Sequence, residues 1–265
     1  MTDFQTIRLS TDAAGVTTLL MNRPDKLNSW DATMERELDA AARRIEGNLR
    51  DHRVLVIRGA GRAFCAGVDL SLVVSEQRLP PRELRNLMWV RHRFFDWVES
   101  IEIPVIAAIH GYCLGGGLEL AVSCDFRLLS DDAVLSMPEL GFGQVPGSGA
   151  ASRITALAGP AVAKDIIMTG RRVGAQEARG MGLASRVYAA EEFDGKVAEF
   201  CAELAARPPL ALAMTKQVVA MVQPMEQART RMAERLGQSA LLSSADLAEG
   251  LAAAAERRKP DFRGE

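Results

Sequence analysis

The segment VIAAIHGYCLGGGLE, residues 105–119, is the stretch that indicates the fold of this chain. Its apolar first part, 105–109, is typical of a strand buried inside a sheet, and a glycine-bearing turn follows it. A second short apolar run, 54–57, leads into a similar turn. Because strand, glycine loop and helix follow one another twice, the pattern predicts an α/β fold.

Three consecutive glycines, 115–117, open the helix that is predicted after this loop. Glycine costs a helix roughly 1 kcal/mol per residue against alanine, so the triplet indicates a backbone that a ligand approaches closely. Glu119 follows Gly116 by three residues, and such positions share one helix face. A backbone N–H and a carboxylate therefore point at the same ligand, which we expect to carry a carbonyl oxygen and a transferable proton.

A second glutamate, Glu139, lies in the turn-like segment MPELGFG, residues 137–143. The segments 59–69 and 110–117 are both strand-end loops, which border the usual ligand crevice of α/β sheets. Two backbone N–H groups there, one at a helix N-terminus, can hold a developing oxyanion. Two carboxylates in one crevice repel each other, so that one stays protonated and the other accepts a proton. These features predict proton transfer beside a polarised carbonyl.

Each feature also has a purely structural interpretation. The glycines can serve tight turns alone, Glu119 can form an ion pair with Arg127, and Glu139 can cap the turn that follows it. Other glycine-loop functions are disfavoured, because no G-x-G pair continues to the third glycine of a dinucleotide fingerprint and no P-loop motif exists. Ser148 lacks the G-x-S-x-G frame of a hydrolase nucleophile.

Composition narrows the class of protein. The 265 residues are 48% hydrophobic with a formal net charge of −2, so the chain can bury a large core and has no basic stripe for nucleic acid. No apolar run approaches the roughly 20 residues of a membrane span, and the N-terminus does not resemble a signal peptide, so we expect a cytoplasmic protein without membrane association. We expect no metal site either, and reduced, buried thiols at Cys65, Cys113, Cys124 and Cys201.

The chain divides into an α/β core with the ligand site, residues 1–190, and a helical section for oligomerisation, residues 191–265. In the core, residues 15–21 predict a strand, Asp31 is the expected N-cap of a helix, and residues 83–100 predict a longer helix. We expect helices to be interrupted at Pro208-Pro209, Pro224 and Ser243-Ser244. The tail carries more apolar residues than a small appendage can bury, which predicts a homo-oligomer.

Several motifs occur in order along the whole chain: NRP with KLN at 22–28, FCAGVDL at 64–70, the segment 104–125, PE at 138–139, PGSG at 146–149 and ERRKPDF at 256–262. In this combination the chain resembles the enoyl-CoA hydratase/isomerase family, also called the crotonase family. The resemblance implies a crotonase-like spiral of ββα units with a helical C-terminal trimerisation section, in trimers or hexamers. It also implies an acyl-CoA thioester substrate and no cofactor, since coenzyme A is part of that substrate.

The resemblance implies roles for particular residues. The oxyanion donors would be the N–H groups of Ala66 and Gly116, and Glu119 and Glu139 would be the acid/base pair. The implied reaction is syn addition of water to a 2-enoyl-CoA, with Glu139 donating a proton to C2 and Glu119 acting as base. Substrate contacts are implied for ten further residues: Lys26, Leu27, Ala63, Gly67, Val68, Asp69, Leu70, Leu114, Gly115 and Pro138.

Other functions stay open at this point. An isomerase that moves the double bond, or a hydratase-lyase acting on an aromatic acyl-CoA, would use the same groups, and isomerases of the family commonly keep a single glutamate at position 139. A non-catalytic CoA-binding protein is disfavoured, because Glu119 and Glu139 are both present. Ala254 departs from the family, which often has an aromatic residue there to cover a neighbour's CoA. The stretch 73–93 is expected to wall the acyl pocket.

Overall fold

The computed structural model of the 265-residue chain describes residues 4–222, 235, 239, 242–258 and 260. Ten strands occur within this part: β1 (Ile7–Thr11), β2 (Val16–Met21), β3 (Val54–Gly59), β4 (Ala63–Cys65), β5 (Val105–Ile109), β6 (Tyr112–Leu114), β7 (Phe126–Ser130), β8 (Val134–Ser136), β9 (Val173–Gly174) and β10 (Arg186–Tyr188). They form a six-stranded sheet of order β1-β2-β3-β5-β7-β10 and a four-stranded sheet of order β4-β6-β8-β9.

The two sheets are built by a repeated unit. Strands β3, β5 and β7 lie side by side and parallel in the large sheet, and the strand after each of them, β4, β6 or β8, crosses into the small sheet. A helical segment follows each pair of strands. This is a spiral of ββα units, as the resemblance implied, and the ends of β4 and β6 meet at one edge of the small sheet.

Nine α-helices occur in the described residues: α1 (Ala32–Glu46), α2 (Leu70–Glu76), α3 (Pro81–Ser100), α4 (Gly116–Ser123), α5 (Ala150–Thr169), α6 (Ala175–Gly180), α7 (Phe193–Ala205), α8 (Pro209–Val222) and α9 (Ala245–Glu256). The expected N-cap of α1 is confirmed, because the Asp31 carboxylate accepts from the Thr33 and Met34 N–H groups. Helix α3 begins two residues before the predicted start, since proline is favourable at the first helical position.

The predicted breaks in the C-terminal section are also found where the structure describes them. Helix α7 ends before Pro208, α8 begins at Pro209, and the Ser244 hydroxyl caps α9 by accepting from the Leu247 N–H. Pro224 lies outside the described residues. The division at residue 190 stays a prediction, and α7 packs on one face of the large sheet against β3, β5 and β7.

The continuous apolar runs of β3 and β5 have a simple cause, which is burial on both faces of the large sheet. Leu55, Ile57 and Ala107 belong to the main core, whereas Val56 and Ile106 pack under α7. Both strands are therefore enclosed, as the sequence predicted for buried parallel strands.

One glycine sets how closely the small sheet approaches α4. A Cβ at Gly117 would overlap the carbonyl oxygen of Cys65 and lie 2.8 Å from the Cys65 Cβ, so a side chain at this position would push β4 away from the helix. Gly117 is thus required for packing, and the ligand approach to the triplet stays a prediction.

The sequence predicts that the chain has neither a membrane span nor a metal site. No helix within it is long and apolar enough to cross a bilayer. Within the same residues, no group of three His, Cys, Asp or Glu side chains is arranged to hold a metal ion. The four cysteines are free and buried, which confirms the prediction of reduced internal thiols.

Candidate active site

Two loops meet where the small sheet abuts the N-terminus of α4. Strands β4 and β6 are parallel neighbours, so the loop after β4 and the start of α4 lie at the same edge. Gly67 has φ +92° and Gly115 has φ +51°, both in the region that favours glycine. A Cβ at Gly67 would lie 3.1 Å from the Gly116 nitrogen, which shows how tightly the two loops pack.

Two backbone N–H groups at this junction, those of Gly116 and Val68, donate to no acceptor among the described residues. The Gly116 N–H is free because it belongs to the first turn of α4. A Cβ at Gly116 would lie 3.7 Å from the Val68 nitrogen, so the two nitrogens are close neighbours. They form a pair of the kind that holds an oxyanion.

The structure contradicts the prediction that Ala66 supplies one of these donors. The Ala66 N–H donates to the Leu27 carbonyl at 2.9 Å and is therefore already satisfied. Positive φ at Gly67 turns the chain between these positions, and it is Val68 whose nitrogen lies beside Gly116. Sequence analysis had placed Val68 among the substrate contacts only, although its position directly after a loop glycine was the available signal.

Glu119 lies on the first turn of α4 and is 4% exposed. Its Oε1 accepts from the Ser148 N–H at 2.7 Å, and the Ser148 hydroxyl and the Ala150 N–H also donate to the carboxylate. Burial raises the pKa of Glu119, and these hydrogen bonds oppose part of the increase. Ser148 thus holds a carboxylate and does not act as a nucleophile.

The alternative ion pair between Glu119 and Arg127 is wrong. The Arg127 Nε donates to the Leu183 carbonyl at 2.7 Å and its Nη1 donates to the Cys124 carbonyl at 2.7 Å. The guanidinium is thereby committed to backbone carbonyls that join α4, β7 and the segment after α6. Glu119 is held by backbone and hydroxyl donors, which leave a carboxylate oxygen available to the cavity.

Glu139 lies in a 3-10 helix, Pro138–Phe142, on the opposite side of the Gly115 backbone. A Cβ at Gly115 would lie 2.6 Å from Glu139 Oε1, so only glycine lets the carboxyl approach this loop. The residue is half-buried, but its Oε2 is inaccessible to solvent and has no hydrogen-bond partner. The turn itself is closed by the backbone, because the Gln144 N–H donates to the Glu139 carbonyl at 3.0 Å.

Both carboxyls have a raised pKa, and burial is the first cause of each shift. Burial, followed by the charge of Glu119, raises the pKa of Glu139 to about 8, so Glu139 is protonated near neutral pH. The sequence predicted that repulsion between the two glutamates raises one pKa. For Glu139, burial is the larger cause of the raised pKa and the charge of Glu119 is the smaller one. The pair thus combines a carboxyl that is protonated near neutral pH, Glu139, with a carboxyl that accepts several hydrogen bonds, Glu119.

Both glutamates line one cavity of about 110 Å³ together with the Gly116 and Val68 backbone. Of the predicted substrate contacts, Val68, Leu70, Gly115 and Pro138 lie on its wall, and so does Ala66. The other six, Lys26, Leu27, Ala63, Gly67, Asp69 and Leu114, do not line this cavity.

Those six residues have other positions in the structure. Lys26 is exposed, and the carbonyls of Leu27 and Ala63 accept hydrogen bonds from Ala66 and from the Asn28 side chain. Asp69 caps α2 by accepting from the Ser71 N–H at 3.1 Å and forms an ion pair with Arg23 at 3.4 Å. Gly67 and Leu114 shape the two loops, since a Cβ at Gly67 would lie 2.9 Å from the Leu114 carbonyl.

The far wall of the cavity has two kinds of surface. Apolar side chains come from α2, α3 and α9 and include Val73, Met88, Leu247 and Leu251. Polar side chains on the same wall are Glu76, Arg91, His92 and Gln144. The stretch 73–93 therefore contributes to the wall, as the resemblance implied, but sequence analysis did not single out His92 or Gln144 as parts of the site.

Comparison with known proteins finds one family model and several related enzymes that match most of this chain. The family model described as enoyl-CoA hydratase/isomerase matches residues 11–265. A probable mitochondrial enoyl-CoA hydratase 2 of Arabidopsis thaliana is 34% identical over 97% of this chain and 84% of its own length. A peroxisomal Delta(3,5)-Delta(2,4)-dienoyl-CoA isomerase of the same plant is 32% identical over 97% of this chain and 95% of its own.

Solved structures agree. The crystal structure of an enoyl-CoA hydratase from Mycobacterium avium subsp. paratuberculosis K-10 superposes with a TM-score of 0.87 and 28% identity, covering 98% of this chain and 100% of that one. The chain belongs to the enoyl-CoA hydratase/isomerase family and has its crotonase fold.

The raised pKa of Glu139 predicts a dependence of stability on pH. The folded state keeps the Glu139 proton up to about pH 8, whereas the unfolded chain releases it near the ordinary value of 4.5. Between these pH values the wild type loses stability as pH rises, by up to about 1.4 kcal/mol per pH unit. Glu139→Gln cannot ionise, so its free energy of unfolding in urea, relative to wild type, should increase from pH 5 to pH 8 and then level off.

The exposed Glu83 of α3 provides the matched control, because Glu83→Gln removes a carboxylate that is already in water. Its stability should follow the wild-type curve at every pH. Identical pH dependence in wild type and Glu139→Gln would show that Glu139 ionises in the folded protein at its ordinary pKa.

Proposed function

We propose that this member of the enoyl-CoA hydratase/isomerase family is an enoyl-CoA hydratase, which adds water syn across the double bond of 2-enoyl-CoA thioesters. The observation that carries the proposal is the enclosure of two glutamates in one cavity with a pair of free backbone N–H groups, where Glu139 is protonated near neutral pH and Glu119 accepts several hydrogen bonds. Hydration needs all three elements, because it requires a polarised carbonyl, a base for water and an acid for carbon.

The thioester carbonyl oxygen accepts hydrogen bonds from the Gly116 and Val68 N–H groups in this mechanism. Attack at C3 moves electron density through C2 onto this oxygen, and preorganised donors stabilise the resulting enolate. Gly116 also places the oxygen at the N-terminus of α4, where the helix dipole favours negative charge. The pair replaces the Ala66 and Gly116 donors that the sequence suggested.

Glu119 and Glu139 supply the proton transfers. The water oxygen bonds to C3 while Glu119 takes one water proton, and Glu139 then gives its proton to C2, so that hydroxyl and hydrogen are added on one face. The Ser148 and Ala150 donors favour the ionised, accepting form of Glu119 against the effect of burial, and burial holds Glu139 in its protonated form. Return of the proton from Glu119 to Glu139 restores the starting state.

A second candidate is double-bond isomerisation, and one observation favours it. Glu139 has a solvent-inaccessible, unpartnered Oε2, and a single protonatable carboxyl suffices to carry a proton between two carbons of an enolate. This reaction would leave Glu119 without a direct role. The hydrogen bonds that orient Glu119 toward the cavity therefore favour hydration.

We further propose a homo-oligomer, a trimer or a hexamer, in which α8 contributes to the interface. Lys216 anchors one face of α8 to Asp125 at 2.8 Å. Its other face exposes Leu210, Met214 and Val218, four residues apart and 77%, 57% and 52% exposed. An apolar stripe of this kind on a helix is typical of a protein interface. We also expect the protein to be cytoplasmic and to need no metal or other cofactor.

The oxyanion pair can be tested at Gly116. Gly116→Pro removes the N–H at a helix position that accepts proline, and turnover of 2-enoyl-CoA should fall by roughly 10²–10³-fold. Gly116→Ala is the matched control, because it keeps the N–H and its Cβ would have no neighbour closer than 3.6 Å. The proline variant should therefore be much slower than the alanine variant. Equal turnover in two folded variants would remove Gly116 from the oxyanion pair.

The two glutamates distinguish hydration from isomerisation. If both act on one water molecule, Glu119→Gln and Glu139→Gln should each lower hydration of crotonyl-CoA by about 10²–10⁴-fold, and the double variant should not lose the product of the two. If the reaction is isomerisation, Glu119→Gln should retain most conversion of 3-enoyl-CoA. Assays of both variants on 2-enoyl-CoA and 3-enoyl-CoA therefore separate the two functions.

Sedimentation should show a trimer or hexamer at micromolar concentration, and the double variant Leu210→Glu, Met214→Glu should shift it toward monomer because charges are costly in an apolar interface. Met168→Glu is the control, since Met168 is 66% exposed but lies on α5, outside the stripe. A monomeric wild type would contradict the proposed assembly.

A further inference from the structure

Two buried polar side chains of the cavity wall lack hydrogen-bond partners. His92 is 1% exposed, and neither of its ring nitrogens is hydrogen-bonded to any described residue. Gln144 is 7% exposed, and both atoms of its side-chain amide are likewise without a partner there. Polar groups removed from water normally find partners, because an unsatisfied one costs about 1–3 kcal/mol.

Both side chains line the same cavity as the catalytic pair. His92 comes from α3 and Gln144 from the end of the Glu139 loop, where its N–H donates to the Glu139 carbonyl. The two residues thus belong to separate elements that border one cavity. Neither side chain has a part in the proton transfers of the proposed hydration.

The charged groups around this polar surface are paired with one another. The Arg91 guanidinium contacts Glu76 and Glu35, with Nη1 to Glu76 Oε2 at 3.1 Å and Nη2 to Glu35 Oε2 at 3.3 Å. Arg153 pairs with Glu99 at 2.8 Å and Arg235 with Asp96 at 2.6 Å. These pairs hold the charges in place, and the neutral His92 and Gln144 are left to meet a ligand.

His92 is neutral because burial and three nearby guanidiniums, those of Arg91, Arg235 and Arg153, lower its pKa to about 3. A neutral imidazole has one N–H donor and one acceptor nitrogen, and an amide has both kinds of atom. The group that completes such a set both donates and accepts, as a hydroxyl does. A carboxylate or an ammonium on the acyl group would satisfy only one kind of atom.

The rest of the far wall is apolar. Leu247 and Leu251 of α9 pack with Met88 of α3 in a hydrophobic cluster that borders the cavity. An acyl group that fits this wall has a hydrocarbon body and one polar substituent. A fully apolar chain would leave His92 and Gln144 unsatisfied after the site has been closed from water.

We infer that the substrate class of this site is 2-enoyl-CoA thioesters whose acyl chain carries a hydroxyl group beyond the double bond, bound by His92 and Gln144. This inference rests on the proposed hydratase function and specifies its substrate. Sites built to hydrogen-bond a substrate hydroxyl reject the analogue that lacks it, because their own polar groups are then buried without partners.

The test uses matched pairs of substrates. The wild type is assayed with ω-hydroxy-2-enoyl-CoA thioesters whose acyl chains have four to seven carbons, each paired with the analogue in which a methyl group replaces the hydroxyl. We expect kcat/KM for at least one hydroxy substrate to exceed that of its methyl partner by at least about tenfold. His92→Leu and Gln144→Leu should each lower kcat/KM for the hydroxy substrate by roughly 10–100-fold, mainly through KM, and so reduce the ratio.

A control variant and a second measurement accompany this assay. Asn86→Leu makes the same kind of polar-to-leucine change at an exposed position of α3 and should preserve the ratio. A saturated ω-hydroxyacyl-CoA should raise the wild-type Tm more than its methyl partner does, and His92→Leu should abolish that difference. Each variant is analysed separately, so that one that fails to fold leaves the other as a test.

The outcomes separate this inference from the proposed function. A wild type that hydrates neither member of any pair overturns the hydratase function. A wild type that hydrates both members with equal kcat/KM, or favours the methyl partner, overturns the hydroxyl inference and leaves the hydratase standing. The same holds if the two leucine variants change kcat/KM for both substrates equally, since His92 and Gln144 would then have a structural role only.

Discussion

The contact between β4 and the start of α4 is the constraint on which the rest of the site depends. A side chain at Gly117 would overlap the Cys65 carbonyl, so glycine alone lets the helix begin against the strand. This contact places the Gly116 N–H beside Val68 and sets Glu119 one turn into the helix, on the same face. The Gly116 and Val68 N–H groups and the Glu119 carboxyl are thus positioned by one packing requirement, which a glycine unfavourable to the helix fulfils.

Burial has opposite consequences for catalysis and for stability at this site. Enclosure of Glu139 keeps its carboxyl protonated near neutral pH, which is the form that a proton donor needs. The same enclosure lowers the stability of the folded protein as pH rises, because the ionised carboxyl is poorly solvated there. Glu119 avoids part of this cost through the Ser148 and Ala150 donors. Glu119 therefore receives more hydrogen bonds from other residues than Glu139 does.

The C-terminal section does more than extend the core. Helix α9 packs against the 3-10 helix that carries Glu139, where Gly250 lies so close to Phe142 that a Cβ would come within 2.7 Å of its Cα. Leu247 and Leu251 of the same helix line the acyl end of the cavity. The position of the Glu139 segment and the shape of the cavity wall therefore both depend on the packing of α9.

Local patterns in the sequence determined much of the outcome, including the buried strand Val105–Ile109, the Asp31 cap, the helix start at Pro209 and the two glutamates, because these depend on neighbours along the chain. The family itself followed from the order of short motifs. The second oxyanion donor depended on how Gly67 turns the backbone, so Ala66 was chosen where Val68 lies. Tertiary packing decides which side chains are removed from water, and it therefore made burial the main cause of the raised pKa of Glu139. Only tertiary packing brought His92 and Gln144, which are 52 residues apart in the sequence, to one cavity.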